Sequence, residues 1–217
     1  TILEDAMMDD LIKINPFTRV KLPRNEEVRQ KKPFNQEEIF SILSTVTESM
    51  RCFFAIGFFT GMRTGEIIGL KWKDVNWDER IIKIRRSRRQ GTETKPKTKS
   101  SIRDVEIIDA LLPYLIRHRE LADEASIYIF ETSRGKPFNT TAKIGVWYWR
   151  TTLEKLGIEY RNLYQMRHTF ASMMISHGED ILWVSNMLGH KDSSMTLQKY
   201  ARYFKRKDKK RATLLSQ

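Results

Sequence analysis

The pattern of apolar and polar positions along the chain predicts a mostly helical protein. Segment 51–59 (RCFFAIGFF) is apolar on nearly all sides, which indicates a buried central helix. Asn35 followed by Glu38 is a helix N-terminal signal. Helical spacing of apolar residues places helices at about 1–14, 35–46, 51–59, 64–70, 140–156, 163–176, 180–188 and 194–204.

Strand patterns are confined to the middle of the chain. Residues 81–85 and 102–108 are rich in isoleucine, and a polar, lysine-rich connection separates them, which predicts an antiparallel hairpin. A third short strand is expected at 127–130. Together with the helices, these strands predict an α+β fold, mostly helical with a small antiparallel β-sheet.

Charge narrows the class of partner. The chain has 39 Lys and Arg against 27 Asp and Glu, a net charge of +12, which favours a polyanion, nucleic acid first and anionic membrane second. No stretch has the length of a membrane span, and we expect no membrane partner. Cys52 is the only cysteine and lies in an apolar run, so we expect a core residue of a cytoplasmic, nucleoid-associated protein.

Common cofactor and metal motifs are absent from the sequence. It has no P-loop, no HExxH or cysteine cluster for zinc, and no GxSxG elbow, so we expect no cofactor and no metal. Chemistry on nucleic acid would then need a protein nucleophile, with cationic side chains as the electrophilic partners.

Four separated segments supply such a set of side chains. They are 60–66 (TGMRTGE), 97–98 (KT), 167–171 (RHTFA), and 188–190 (LGH) with Tyr200 ten residues after the histidine. Their identity and order resemble the tyrosine recombinase (phage integrase) family over roughly residues 35–204. The resemblance implies the catalytic domain of a site-specific DNA recombinase, which cleaves and rejoins strands through a covalent 3′-phosphotyrosine.

The resemblance assigns a role to each matching position, and general chemistry fits each role. Arginine offers a planar fork that holds two phosphate oxygens and keeps its charge. A lysine can protonate the departing 5′-oxygen, and a histidine can donate a hydrogen bond to the phosphate or act as a base. The alternative for His190 is a histidine at a helix C-terminus, where positive charge is favoured. His168 is expected to have a structural hydrogen-bonding role. The predicted catalytic residues are Arg63, Lys97, Arg167, His190 and the nucleophile Tyr200.

Several assignments stay open at this point. The family usually has His or Lys three residues before the second arginine, where this chain has Tyr164. That tyrosine either bonds the phosphate or faces the core, and the acceptor of the nucleophile's proton is undefined. Lys99 competes with Lys97 as the general acid, and Tyr203 is the alternative to Tyr200. The lysines expected to contact DNA are Lys95, Lys99 and Lys191.

Domain organisation and partners follow from the same resemblance. Residues 16–33 hold three of the six prolines and read as a linker, so residues 1–33 are expected to be the remnant of an N-terminal core-binding domain. The alternative is an arm that packs on the main domain. Residues 34–217 are then the catalytic domain, with the basic tail 205–217 docking on a neighbouring protomer.

The expected partners are double-stranded DNA, three further copies of the chain in a synaptic tetramer, and accessory DNA-bending proteins.

Two rival functions need to be separated from recombination. Helices 180–188 and 194–204 could form the helix-turn-helix of a non-enzymatic regulator. A type IB topoisomerase would share the chemistry but relax DNA without a specific site.

Overall fold

The computed structural model describes residues 2–20, 32–94 and 101–203, and the chain divides into two compact units, residues 1–32 and 33–217. The first unit contains helix α1 (Ile2–Met8) and a 3₁₀ turn (Pro16–Arg19) that the side chain of Asn15 caps. Helix α1 ends sooner than the predicted 1–14, and it buries none of its residues.

The second unit combines helices with two small sheets. Its helices are α2 (Gln36–Thr45), α3 (Glu48–Thr60), α4 (Thr64–Ile67), α5 (Leu112–Leu121), α6 (Thr151–Lys155) preceded by a π-helical segment (Ile144–Arg150), α7 (Gln165–His177), α8 (Ile181–Leu188) and α9 (Ser193–Tyr200). Its strands are β1 (Val75–Asn76), β2 (Ile81–Ile84), β3 (Ser87–Arg89), β4 (Thr92–Thr94) and β5 (Arg103–Glu106). This arrangement confirms the predicted α+β fold.

Helix α3 forms the centre of the core. Its residues 53–56 are completely buried, Cys52 is buried beside them, and the helix packs against α2, α5 and α7. The indole of Trp149 closes the core against the ring of Phe54 at a centroid distance of 5.3 Å. The prediction of a buried central helix is therefore confirmed. The predicted helix start at Asn35 is also confirmed, and there Asn35 and Glu38 form a capping box that begins α2.

The strands confirm part of the predicted sheet and correct the rest. Strands β2 and β5 pair antiparallel with Ile82 opposite Val105, as expected for the hairpin. The third strand of this sheet is β1, so the prediction of a strand at 127–130 is wrong. The connection between β2 and β5 holds a second sheet, β3–β4, and both this sheet and helix α5 escaped the sequence analysis.

Some sequence predictions fall outside the described residues. They concern the lysines Lys95, Lys97 and Lys99, most of the linker, and the tail 205–217. The predicted helices 163–176, 180–188 and 194–204 correspond to α7, α8 and α9, with ends shifted by a few residues, as is usual for helix boundaries.

Candidate active site

Arg63 is held at the start of α4 by a buried carboxylate. Its backbone N–H and its Nη1 both donate to Glu66, at 3.0 and 2.8 Å, while its side chain stays 41% exposed. Burial would raise the pKa of Glu66, but the charges of Arg103 and Arg63 lower it below its ordinary value. Glu66 is therefore an anion that orients the Arg63 guanidinium and leaves part of it open to a ligand.

Arg167 is much more buried than its sequence context indicated. The apolar stripe of its helix leaves Arg167 on a different face, yet the side chain is only 1% exposed. Its Nη1 donates to the carbonyl of Gly61 at 2.8 Å, and no group in the described part of the chain hydrogen-bonds its Nε. Burial and the nearby charge of Arg63 lower its pKa to about 10, so it remains a cation at neutral pH.

Gly61 allows these two arginine segments to meet. Its φ of +65° ends helix α3 in the left-handed region, and a Cβ there would lie 2.6 Å from the Phe170 ring. Only glycine fits this position without a shift of α7. The turn thus places Arg63 next to the helix that bears Arg167.

Arg103 is a buried ion-pair residue that the sequence analysis missed. Its Nη2 lies 3.0 Å from Glu66 Oε2, and its Nε donates to the carbonyl of Met187 at the end of α8, also at 3.0 Å. The alternation of strand β5 gave the signal, because Arg103 is in phase with the buried Val105 and Ile107. A cation at that inward position requires a buried anion.

His190 follows the glycine that ends helix α8. Its Nδ1 lies 2.7 Å from Thr196 Oγ1, which fixes the orientation of the ring. Burial, followed by the charges of Arg167 and Lys199, lowers its pKa to about 4, so the imidazole is neutral at pH 7. This direction is opposite to the rise in pKa that a helix C-terminus favours for a histidine.

Tyr200 is the last residue of α9 and is 1% exposed. Its hydroxyl lies 3.1 Å from His168 Nδ1. Burial raises its pKa above the ordinary value, and the charge of Arg167 opposes that rise only in part. The ring of Tyr203 lies 6.3 Å from the Tyr200 ring.

Tyr164 lies at the edge of this cluster and not in the core. It is 39% exposed, and its hydroxyl accepts a hydrogen bond from Lys199 Nζ at 3.3 Å. Burial would raise its pKa, but the charges of Arg167, Lys199 and Arg63 outweigh burial and lower the pKa below its ordinary value. The core-facing alternative for Tyr164 is therefore wrong.

The hairpin β3–β4, which precedes the lysine-rich segment, is tied to the body of the domain. Lys71 Nζ lies 3.0 Å from Glu93, whose carboxylate also accepts from the Tyr128 hydroxyl. Arg88 Nε donates to the carbonyl of Phe138 at 3.0 Å. These contacts hold the β3–β4 hairpin against the rest of the domain.

The structure thus brings four of the predicted catalytic residues and Tyr164 into one cluster. The four are Arg63, Arg167, His190 and Tyr200. Arg167 is the common neighbour, since its charge acts on His190, Tyr200 and Tyr164 and is itself affected by Arg63. Lys191 lies exposed in the turn after His190.

Within residues 2–20, 32–94 and 101–203 there is no group of metal-binding side chains and no helix long and apolar enough to cross a membrane.

Comparison with known proteins identifies the class of this domain. Residues 32–207 match the phage integrase family, so the chain belongs to that family as a tyrosine recombinase catalytic domain. A tyrosine recombinase XerC-like protein of Caldanaerobacter subterraneus is 29% identical over 92% of this chain and 59% of its own length. The ICEBs1 integrase of Bacillus subtilis is 29% identical over 99% of this chain and 62% of its own length.

Solved structures show the same fold. The Tn1549 transposon integrase, in complex with a circular intermediate DNA, superposes with a TM-score of 0.79 at 22% identity, over 91% of this chain and 70% of that one. The chain spans about three fifths of the length of the two relatives above. These likenesses concern the family and fold, and the roles of individual residues rest on the geometry of the site.

Proposed function

We propose that this domain carries out site-specific DNA recombination, by cleaving a phosphodiester with Tyr200 and rejoining it through a 3′-phosphotyrosine. The observation that carries the proposal is the convergence of Arg63, His190 and Tyr200 on the buried Arg167. These residues come from three separate segments of the chain. A regulator that only bound DNA would have no need of a tyrosine hydroxyl in the field of a buried arginine.

The two arginines would act on the scissile phosphate. Arg63 presents a partly exposed guanidinium, and the Nε of Arg167 has no hydrogen-bond partner among the described residues. Both can donate to non-bridging oxygens, where negative charge grows in the pentacovalent transition state. Loss of one such preorganised donor typically slows a reaction by about 10²–10³-fold.

His190 and the polar edge of the site would complete the phosphate pocket. A neutral imidazole can still donate one hydrogen bond, and Thr196 holds the ring of His190 in place. Tyr164 and Lys199 add a phenol and a cation at the open side. Lys191, exposed beside His190, would contact the DNA backbone, as would Lys95 and Lys99.

Recombination between two duplexes determines how many protomers must act together. Each exchange cleaves four strands, and each cleavage consumes one tyrosine, so four protomers would act together. The partners would be double-stranded DNA, three further copies of the chain, and accessory DNA-bending proteins. A mobile genetic element is the natural substrate, and its integration or excision would take place on the nucleoid in the cytoplasm.

Trapping of the covalent intermediate tests this function. The full-length protein is mixed, in EDTA, with a duplex that carries the site it protects in footprinting and a nick just 3′ of the scissile phosphate, so that the short released fragment with the 5′-hydroxyl diffuses away. We expect a protein–DNA adduct that survives denaturation. Its absence would favour the helix-turn-helix regulator, and relaxation of plasmids lacking the site would favour a type IB topoisomerase.

The hairpin lysine gives a sharper test of the leaving-group step. Lys97→Ala is expected to slow cleavage of ordinary DNA by about 10²-fold or more, the usual contribution of a general acid. A substrate with sulfur in the 5′-bridging position should restore the rate, because a thiolate leaves without protonation. Lys99→Ala is the matched control and should show no such rescue. If Lys99→Ala is rescued and Lys97→Ala is not, the general acid is Lys99.

A further inference from the structure

The acceptor of the nucleophile's proton is the missing part of the mechanism, and His168 lies where such a group is needed. Its Nδ1 is 3.1 Å from the Tyr200 hydroxyl, within the range that a proton transfer requires. The His168 ring lies between two tyrosines, with centroids 5.1 Å from Tyr164 and 5.7 Å from Tyr200. His168 directly follows Arg167 on α7, so one helix turn carries both groups.

The two other candidates for the acceptor are poorly suited to it. The hydroxyl of Tyr164 accepts from Lys199 Nζ, and the positive charges around it disfavour a further proton. His190 is turned toward Thr196, and its pKa of about 4 makes it a weak base. His168 is thus the imidazole that contacts the reacting oxygen directly.

We propose that His168 is the general base for Tyr200, a catalytic role that rests on the proposed recombinase function. In cleavage, the proton of the Tyr200 hydroxyl moves to His168 Nδ1 while the phenol oxygen forms a bond to phosphorus. The bond from phosphorus to the 5′-oxygen breaks, and the hairpin lysine protonates that oxygen. In rejoining, the 5′-hydroxyl gives its proton to the hairpin lysine and attacks phosphorus, the bond from phosphorus to the phenol oxygen breaks, and His168 returns its proton to the departing phenolate.

This assignment explains how a site with tyrosine at position 164 can act at neutral pH. Burial holds the pKa of the Tyr200 phenol above its ordinary value, so the phenolate is scarce without a base in contact. An imidazole nitrogen can both accept a proton and return it, so it suits both directions of the transfer. The sequence predicts only a structural hydrogen bond for His168. In the structure, the partner in that hydrogen bond is the nucleophile Tyr200.

The substitution His168→Asn separates proton transfer from positioning. An asparagine amide oxygen accepts a hydrogen bond from Tyr200 but does not take its proton. With the full-length protein and a nicked substrate, we expect single-turnover adduct formation to fall by about 10²–10³-fold, within the range for general acid–base catalysis. DNA binding should persist. His177→Asn, at the exposed end of the same helix, is the matched control and should cleave like the unsubstituted protein.

Two rescue experiments test the same step chemically. Imidazole in solution should accelerate His168→Ala but not Tyr200→Phe. Replacement of Tyr200 by a fluorotyrosine of lower phenol pKa should reduce the deficit of His168→Asn, because a more acidic nucleophile needs less help from a base. An unchanged rate for His168→Asn, or a deficit that neither measure alters, would overturn the proposal.

A measurement on the unsubstituted side chain covers the case in which these variants fail to fold. In protein with ¹⁵N-labelled histidine, we expect NMR to show that neutral His168 carries its proton on Nε2, with Nδ1 accepting from Tyr200. A proton on Nδ1 would overturn the proposal. If the unsubstituted protein forms no adduct at all, the recombinase function fails, and that result is distinct from every outcome for His168.

Discussion

Replacement of Tyr200 by phenylalanine is expected to abolish the covalent protein–DNA adduct. The change removes only the attacking oxygen, and the ring still fills its buried position at the end of α9. Among the described residues the hydroxyl hydrogen-bonds with His168, so we expect folding and DNA binding to persist when it is removed. Denaturing gels of the trapped complex and a thermal melt of the free protein measure the two parts of this prediction.

Tyr203→Phe is the matched control for this experiment. Its hydroxyl accepts from the neighbouring Arg202 at 3.0 Å and has no contact of its own with the arginine cluster in the described residues. Tyr203→Phe should therefore keep the adduct. Mass spectrometry of the trapped peptide should place the phosphate on Tyr200, and a phosphate on Tyr203 would refute the choice of nucleophile.

Much of the helical framework could be predicted because its apolar residues are numerous and regularly spaced. The segment 51–59 is the clearest case, since a helix apolar on all sides can only lie inside a core. The residues of the cluster were found for another reason: they lie in short motifs whose order is distinctive. Neither source of information required knowledge of which segments touch.

The errors arose where tertiary contacts overrule local pattern. Helix α5 was missed because Leu115 is its only buried residue, which leaves almost no apolar periodicity to detect. Residues 127–130 have a strand composition, but their partner turns into a 3₁₀ segment (Trp72–Asp74) directly after the single bridge between Lys71 and Tyr128. Because the pairing ends after this one pair of residues, residues 127–130 do not form a strand.

The burial of the Arg167 side chain could not be predicted from the sequence either. Helical spacing separates Arg167 from the apolar stripe of α7, and a solvent-facing arginine is the ordinary expectation. The structure instead covers that second face with the turn after α3, whose Gly61 carbonyl accepts from the guanidinium. The burial of a charge depends on a contact across 106 positions of the chain, which no local pattern contains.

A buried anion holds the two halves of the candidate site together. Glu66 accepts from Arg63 on α4, while Arg103 links the same carboxylate to the carbonyl of Met187 on α8. Arg103 passes directly beneath Gly189, where a Cβ would lie 2.7 Å from its Nη1. The segment that bears Arg63 and the segment that leads to His190 therefore share one ion-pair network.

Glu66→Ala is accordingly expected to lower the free energy of unfolding by about 3–5 kcal/mol, because it leaves a buried arginine without its anion. For a domain of this size, the loss corresponds to a decrease in Tm on the order of 10 °C. Arg103→Met should cost less, because Glu66 keeps Arg63 as a partner and the methionine chain fills most of the arginine's volume. Urea unfolding of both variants measures the difference.

The combination of Glu66→Ala with Arg103→Met distinguishes this ion-pair argument from simple loss of packing. With the charge of Arg103 removed, the absence of Glu66 no longer strands a buried cation. We therefore expect the double variant to be less destabilised than the sum of the two single variants, with a coupling of about 1–3 kcal/mol. Additive losses would mean that the two side chains contribute only volume, and that the network does not couple the segments of Arg63 and His190.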